Sequence, residues 1–175
     1  KPPFRADQVG SFFFFFALKQ ARAKREKGEI TPAQLSSVED EEIRKVIRKQ
    51  EDVGMKLATD GEFRRTFWHF DFLGGMTGID LYDHVQGIQF QGAQTRAWDI
   101  RVAGKIDFPD DHPFLEHFRF LKANTKVVPK MTIPSPTVAH FRAGRNKISK
   151  EVYPDLDLYY EDLGKAYAKA VKAFY

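Results

Sequence analysis

Hydrophobic positions along the chain change period several times, and each change marks an element. Between Thr31-Pro32 and Gly54, Val38, Ile43, Val46, Ile47 and Val53 recur near helical spacing with Glu, Lys and Arg between them. A helix is expected there, opened by the proline, whose missing donor had no partner at a first helical position, and stopped by the glycine. Ahead of it, residues 4–11 read as a strand ending in Val9-Gly10-Ser11, and about Ala17 to Lys27 reads as a helix closed by Gly28. Met55 to Thr59 follows as a short apolar strand, which makes a β-α-β start. The next stretch, Thr66-Phe67-Trp68-His69-Phe70-Asp71-Phe72-Leu73, is densely aromatic and ends at Gly74-Gly75, so it serves the core by default and a pocket lining as the alternative. From Ile79 to Phe108 the pattern alternates, as in Ile88-Gln89-Phe90-Gln91 and Ile100 to Ile106, and predicts a β-hairpin excursion bending near Gly92. Asp111 before Pro113 opens a helix running to about Ala123, and Lys126 to Ile133 reads as a third core strand, broken by Pro134-Ser135-Pro136. Thr137, His140, Phe141 and Arg142 then fall on a loop or short helix. Asp155 caps a last helix with Leu156, Tyr159, Tyr160, Leu163, Tyr167, Val171 and Phe174 as its apolar face.

Strands alternating with helices point to an α/β fold with parallel strands. The last helix has no strand after it, and three parallel strands with a hairpin would leave an open sheet edge. The expected architecture is therefore a TIM-type (β/α)8 barrel, of which residues 1–175 form the N-terminal half as part of a single domain, with the hairpin excursion at about residues 79–108.

Composition narrows the chemistry. A net charge of +4 and a pI near 9.2 arise from basic and acidic residues spread evenly, with no stripe to track a phosphate backbone, so nucleic acid is not an expected partner. The absence of cysteine excludes disulfides, thiolate nucleophiles and cysteine-based metal sites within these residues. Ser11 to Leu18, which contains the consecutive Phe12 to Phe16, is the only candidate targeting segment; it is too short to span a bilayer, which requires about 20 apolar residues, and its flanks offer no signal-peptide cleavage site. The reading is a cytoplasmic protein that does not enter the membrane. Five consecutive phenylalanines cannot all be covered by a small core, so the run is expected to act as a self-association surface.

The densest chemistry lies in Thr59-Asp60-Gly61-Glu62-Phe63-Arg64-Arg65, where two carboxylates and two guanidinium groups follow a short strand. A loop leaving the carboxyl end of a parallel strand faces the ligand crevice of an α/β fold, whereas the alternative reading is a solvated turn with a structural ion pair. In a barrel three strand ends converge: Val9-Gly10-Ser11, Asp60-Gly61-Glu62 and Ile133-Pro134-Ser135-Pro136. Their small residues and carboxylates suit an amino group or a cation. Of the histidines, His112 and His117 fall at an outer helix start and His84 in the excursion, which leaves His69 and His140 as candidates to face a pocket.

These motifs resemble the cobalamin-independent methionine synthases, especially short single-barrel members similar to the catalytic C-terminal domain of the long enzymes. The likeness is carried by Phe4-Arg5-Ala6-Asp7 with Val9-Gly10-Ser11, by Thr59 to Arg65 with Trp68-His69-Phe70-Asp71-Phe72, by Lys130 to Pro136, by His140-Phe141-Arg142 with Gly144-Arg145, and by Val152-Tyr153-Pro154-Asp155-Leu156. The resemblance implies methyl transfer to the thiol of homocysteine, with zinc lowering the thiol pKa. It implies that Val9, Gly10, Ser11 and Glu62 hold the amino and carboxyl groups of homocysteine, with Asp60, His69, Ser135 and His140 as further candidates. Arg96 and Phe141 correspond to the contacts of a methylated folate donor. Where relatives carry Gly-Ser-Leu-Leu-Arg-Pro, this chain has Gly10-Ser11-Phe12-Phe13-Phe14-Phe15. The family's zinc ligands fall in the second half of the barrel, so zinc is expected to be held outside this chain. Alkyl transfer to another thiol of the coenzyme type is the neighbouring alternative, which Glu62 disfavours because a sulfonate thiol gains nothing from a carboxylate. A non-catalytic half-barrel that pairs with a complementary chain is the alternative from another class.

Overall fold

A computed structural model describes residues 8–13, 15–83, 89–90, 93–94 and 98–175, with the backbone alone at 83, 89–90, 93–94 and 141–143. In chain order the elements are α1 (Phe16–Glu26), α2 (Pro32–Asp52), β1 (Leu57–Ala58), α3 (Phe70–Leu73), β2 (Thr77–Asp83), β3 (Gln89–Phe90), β4 (Ala93–Gln94), β5 (Trp98–Asp107), α4 (Pro113–Asn124), β6 (Val128–Pro129), α5 (Pro136–Ala143) and α6 (Leu156–Phe174). They fall into two compact units, one made of the chain up to Arg65 with Glu116–Thr132, the other of Thr66–Leu115 with Ile133–Tyr175.

In the first unit, α2 begins where the sequence places it. The Thr31 hydroxyl accepts the Gln34 N–H at 3.2 Å and the Gln34 side chain accepts the Thr31 N–H at 2.8 Å, so two donors that the first turn leaves without helical partners are satisfied reciprocally. The buried stripe is Glu39, Glu42, Ile43, Val46, Ile47 and Gln50, whereas Val53 lies past the helix end and is exposed. Two glutamates are buried because cations reach them: Arg22 at 3.7 Å and Arg64 at 3.3 Å from Glu39, Lys45 at 2.7 Å from Glu42. Ile43, Val46 and Ile47 pack with Leu18, Ala58, Phe63 and Leu121, each such buried side chain contributing roughly 1.5–3 kcal/mol. Phe12 and Phe15 lean on this core while Phe13 and Phe16 point outward, 95% and 74% exposed. Phe14 lies outside the described residues.

β1 and β6 run parallel, pairing Leu57 with Val128 and Ala58 with Pro129. Both are far shorter than the expected strands over Met55–Thr59 and Lys126–Ile133. Lys56 and Ala58 turn their carbonyls to β6, accepting the Val128 and Lys130 N–H groups at 3.2 and 2.8 Å, while on the opposite edge the Gln50 side-chain amide takes both backbone groups of Thr59, accepting its N–H at 3.0 Å and donating to its carbonyl at 2.9 Å. Residues 8–13, expected to complete a strand over residues 4–11, form none, and residues 1–7 lie outside the described part. Among the described residues the sheets are three two-stranded pairs, and no closed barrel is present.

In the second unit, β2 and β5 form the stem of the expected hairpin, pairing antiparallel with Leu81 opposite Ile100; the bend at Gly92 lies outside the described residues. The register shifts between Thr77 and Ile79. Gly78 sits there at φ +81°, and a Cβ on it would stand 2.4 Å from the Lys105 carbonyl oxygen, so only glycine fits. The second half of the aromatic stretch goes to the core: Phe70, Phe72 and Leu73 of α3 are buried, and Phe72 packs with Phe108, Phe114 and Tyr167, whereas Trp68 is 50% exposed. His112, expected on an outer helix start, is instead buried in this cluster. Its Nδ1 accepts the Phe114 N–H at 3.1 Å and its Nε2 meets the Phe72 carbonyl at 3.0 Å, which fits a neutral ring protonated on Nε2, and burial lowers its pKa. Asp155 caps α6 by accepting the Asp157 N–H at 3.0 Å. The buried face of α6 is Tyr159, Leu163, Ala166, Tyr167 and Ala170, so two alanines take places expected for Tyr160 and Val171, which are 44% and 57% exposed. No helix among the described residues is long and apolar enough to cross a membrane.

Candidate functional site

The first unit gathers a polar cluster at the end of β1. Gly61 (φ +71°) and Glu62 (φ +59°) are consecutive left-handed residues, closed by the Phe63 N–H to the Asp60 carbonyl at 3.4 Å. This is the signature of a mirror-image turn. Glycine adopts such a conformation freely. For Glu62, the only non-glycine residue with positive φ among those described, it costs about 1–2 kcal/mol. Strain of that kind persists only where the surroundings hold it.

Those surroundings can be named. Glu62 is 8% exposed; its N–H donates to Asp60 Oδ1 at 2.9 Å, and its Oε1 accepts from Arg65 at 3.1 Å and from the Thr132 hydroxyl at 3.0 Å. Arg65 donates onward to Met131 Sδ at 3.0 Å. Asp60 is buried, its Oδ2 has no hydrogen-bond partner among the described residues, and burial raises its pKa against the opposing pull of Arg65. Arg64 turns the other way, to Glu39 and Asp40 on α2 with its guanidinium over Phe120, so the structural ion pair of the alternative reading is present at Arg64 as it is between Arg65 and Glu62.

The Val9-Gly10-Ser11 turn lies against this cluster. Thr59 Oγ1 donates to the Gly10 carbonyl at 2.9 Å, and the Phe12 N–H donates to the Gly61 carbonyl at 3.2 Å. Gly10 is buried at φ +114°, while Val9 and Ser11 are exposed. Val9, Gly10, Ser11, Asp60 and Glu62 are therefore brought together, as the sequence reading requires. The combination can do specific chemistry: a left-handed turn, a small exposed hydroxyl and a carboxylate already bridged to a guanidinium make a surface for a zwitterion's paired charges.

The other candidates belong to the second unit or lie outside the described residues. Ser135 is exposed at the start of α5, its hydroxyl 2.6 Å from that of Thr137. His69 is buried between aromatic rings, 4.0 Å from Phe70 and 4.5 Å from Trp68 by centroids. His140 meets the Tyr160 hydroxyl at 3.1 Å through Nε2. The backbone of Phe141 lies in α5, and Arg96 and His84 lie outside the described residues. Sequence reasoning missed Gln50, Thr59 and Thr132. Gln50 could have been found, because an amide on an apolar helical stripe with Val46 and Ile47 must satisfy its polar atoms with something.

Zinc needs a closed set of nitrogen, sulfur or carboxylate ligands. Among the described residues no group of three or more His, Asp or Glu comes together to hold a metal, and there is no cysteine, so these residues do not fit a zinc site.

Known proteins are similar to this chain. YxjG of Bacillus subtilis, an uncharacterized protein, is 47% identical over the whole of this chain and 46% of its own length. The 5-methyltetrahydropteroyltriglutamate–homocysteine methyltransferase of Thermosynechococcus vestitus is 40% identical over 83 residues, which is 47% of this chain and 11% of that enzyme. The crystal structure of a putative vitamin-B12 independent methionine synthase from Listeria monocytogenes superposes with a TM-score of 0.80 at 40% identity, covering 99% of this chain and 48% of that one. The chain thus spans about half the length of the relatives it matches throughout. Residues 4–104, more than half of the chain and including the whole cluster around Glu62 except Met131 and Thr132, match the family described as the catalytic domain of cobalamin-independent synthases. The chain belongs to the cobalamin-independent methionine synthase family.

Proposed function

We propose that this chain supplies the amino-acid-binding part of a (β/α)8-barrel methyltransferase that moves a methyl group to the thiol of homocysteine. The observation that carries the reading is Glu62, held in a strained left-handed conformation beside the Gly10-Ser11 turn. Glycine would make the turn with less backbone strain, whereas the Glu62 carboxylate bridges Arg65 and Thr132 through one oxygen and keeps the other for a ligand. In this reading the ammonium group of homocysteine approaches the Glu62 carboxylate and its carboxylate approaches the Gly10-Ser11 turn. Oε1 of Glu62 is engaged by Arg65 and Thr132, so the ammonium comes in on Oε2. Ser135, His69 and His140 are secondary candidates, and Arg96 and Phe141 are the proposed contacts to a methylated folate. Zinc ligands belong to the remainder of the barrel, and residues 1–175 form its first half.

The test is calorimetric titration of L-homocysteine into the protein and its Glu62→Gln variant. Losing a charge-assisted contact weakens binding by about 1.5–3 kcal/mol, roughly ten- to 150-fold. Unchanged affinity removes Glu62 from the site. A 2-mercaptoethanesulfonate titration tighter than that of homocysteine replaces the amino-acid acceptor with a sulfonate thiol.

A further inference from the structure

We infer that Thr59 is a positioning residue that locks the Val9-Gly10-Ser11 turn to the Asp60-Gly61-Glu62 turn, so that one hydroxyl sets the spacing between the two halves of the amino-acid site. The inference rests on the reading of that site given above.

Thr59 is 2% exposed and is held from both sides. On the helix side, Gln50 of α2 binds its backbone N–H and carbonyl at 3.0 and 2.9 Å, as a neighbouring strand would. Gln50 is itself anchored, donating to the Val46 carbonyl at 3.1 Å and accepting from Gln8 at 2.8 Å. On the site side the hydroxyl does two things at once: it donates to the Gly10 carbonyl at 2.9 Å and accepts the Gly61 N–H at 3.2 Å. The Thr59 methyl closes the remaining space, because a Cβ on Gly10 would stand 2.7 Å from Cγ2. A hydroxyl can donate once and accept besides, so a single side chain satisfies one buried carbonyl on the first turn and one buried N–H on the second. The Phe12 N–H to Gly61 carbonyl bond at 3.2 Å is then a consequence of that register. Shifting either turn would leave a buried polar group without a partner, so the two turns move together or not at all.

Two substitutions separate this role from mere support of the fold. Thr59→Val keeps the shape and removes the hydroxyl; Thr59→Ser keeps the hydroxyl and removes the methyl. Amide hydrogen exchange at Phe12 and Gly61 reads the coupling without a ligand, and homocysteine titration of the same proteins, with Glu62→Gln alongside, reads its effect on the site. Thr59→Val is expected to speed exchange at Phe12 and Gly61 by roughly tenfold or more, with Ile43, Val46 and Ile47 unchanged, and to weaken homocysteine by a similar factor, as when a buried donor and acceptor lose their partner. Thr59→Ser is expected within roughly threefold of the wild type on both readouts. Exchange at Phe12 and Gly61 unchanged in Thr59→Val, or Thr59→Ser failing as badly as Thr59→Val, overturns the inference. So does a Thr59→Val protein that binds homocysteine normally while Glu62→Gln does not. If Glu62→Gln leaves homocysteine binding intact, the proposed function fails instead, and the exchange data alone decide whether Thr59 couples the turns.

Discussion

Replacing Glu62 by alanine and, separately, by glycine isolates the backbone cost at that residue, because both variants lose the same carboxylate. That loss is large: Arg65 is 3% exposed and Glu62 11% exposed at the side chain, and breaking a pair so placed costs about 3–5 kcal/mol. The nearby Asp60 carboxylate, already under the electrostatic influence of Arg65, places the expected cost at the lower end of that range. The two variants then differ only in the turn. Alanine at φ +59° retains the left-handed penalty of about 1–2 kcal/mol, whereas glycine removes it and gives back about 0.5–1 kcal/mol in chain entropy. Glu62→Gly should therefore be more stable than Glu62→Ala by about 0.5–1 kcal/mol, although both fall below the wild type. At an ordinary helical position the order is reversed, with alanine ahead of glycine by about 1 kcal/mol. Urea denaturation followed by circular dichroism, with the m-values compared, measures the difference. Glu62→Ala matching or exceeding Glu62→Gly would refute the strained turn and, with it, the main argument that Glu62 is held for binding.

Gly10→Ala combines a disfavoured φ of +114° with a 2.7 Å approach to Thr59 Cγ2 and should destabilise by at least about 1–3 kcal/mol in the same assay; a neutral result contradicts the close packing of the two turns. Asp60 has a pKa raised by burial, so its contribution is fully present below the unfolded value of 3.8 and is lost as pH rises through the folded pKa. Asp60→Asn, which keeps an acceptor for the Glu62 N–H, should therefore gain stability relative to the wild type as pH rises from below 3.8 to 7, and a pH-independent difference counts against the buried charge. For His112 the sign is opposite: its folded pKa is depressed, so the stability it contributes is present above 6.5 and lost as pH falls through the folded pKa, and imidazole NMR shifts should show it still neutral at pH 6.5. Sedimentation should show concentration-dependent self-association, reduced in Phe13→Ser/Phe16→Ser because those two rings are the outward ones among the described members of the run; a clean monomer at high concentration contradicts it.

Local chemistry made the helices readable. Thr31-Pro32, Asp155 and the closing glycines each leave a mark within a few residues, and α1, α2, α4 and α6 lie close to their expected positions. Strand lengths were not readable, because a strand lasts only as long as something pairs with it; nor was the far edge of Thr59, where a glutamine side chain stands in for a strand. The burial of His112 was missed for a related reason. Phe72, whose carbonyl and ring it meets, is 40 residues away in sequence, and only the folded chain brings that ring within 4.9 Å. Gly10 and Asp60 to Glu62 were legible as small and acidic residues, although the strand expected before Gly10 does not form over the described residues 8–13. The left-handed backbone of Glu62 was not, since a glutamate gives no sign of it. Thr132, which completes the carboxylate's contacts, sits in a run that reads simply as strand.

The division of the chain bears on how the protein is made. The first unit is interrupted: residues up to Arg65 belong to it, the next fifty build the other unit, and it resumes only at Glu116. β1 finds its partner at Val128, and Glu62 finds its hydroxyl donor at Thr132. At about 5–20 residues per second, a ribosome that has reached Arg65 needs roughly 3–13 s more to reach Thr132, so the Phe12 and Phe15 rings and the unfinished carboxylate turn wait that long on the nascent chain before the segment carrying Leu121 and Thr132 has been synthesised.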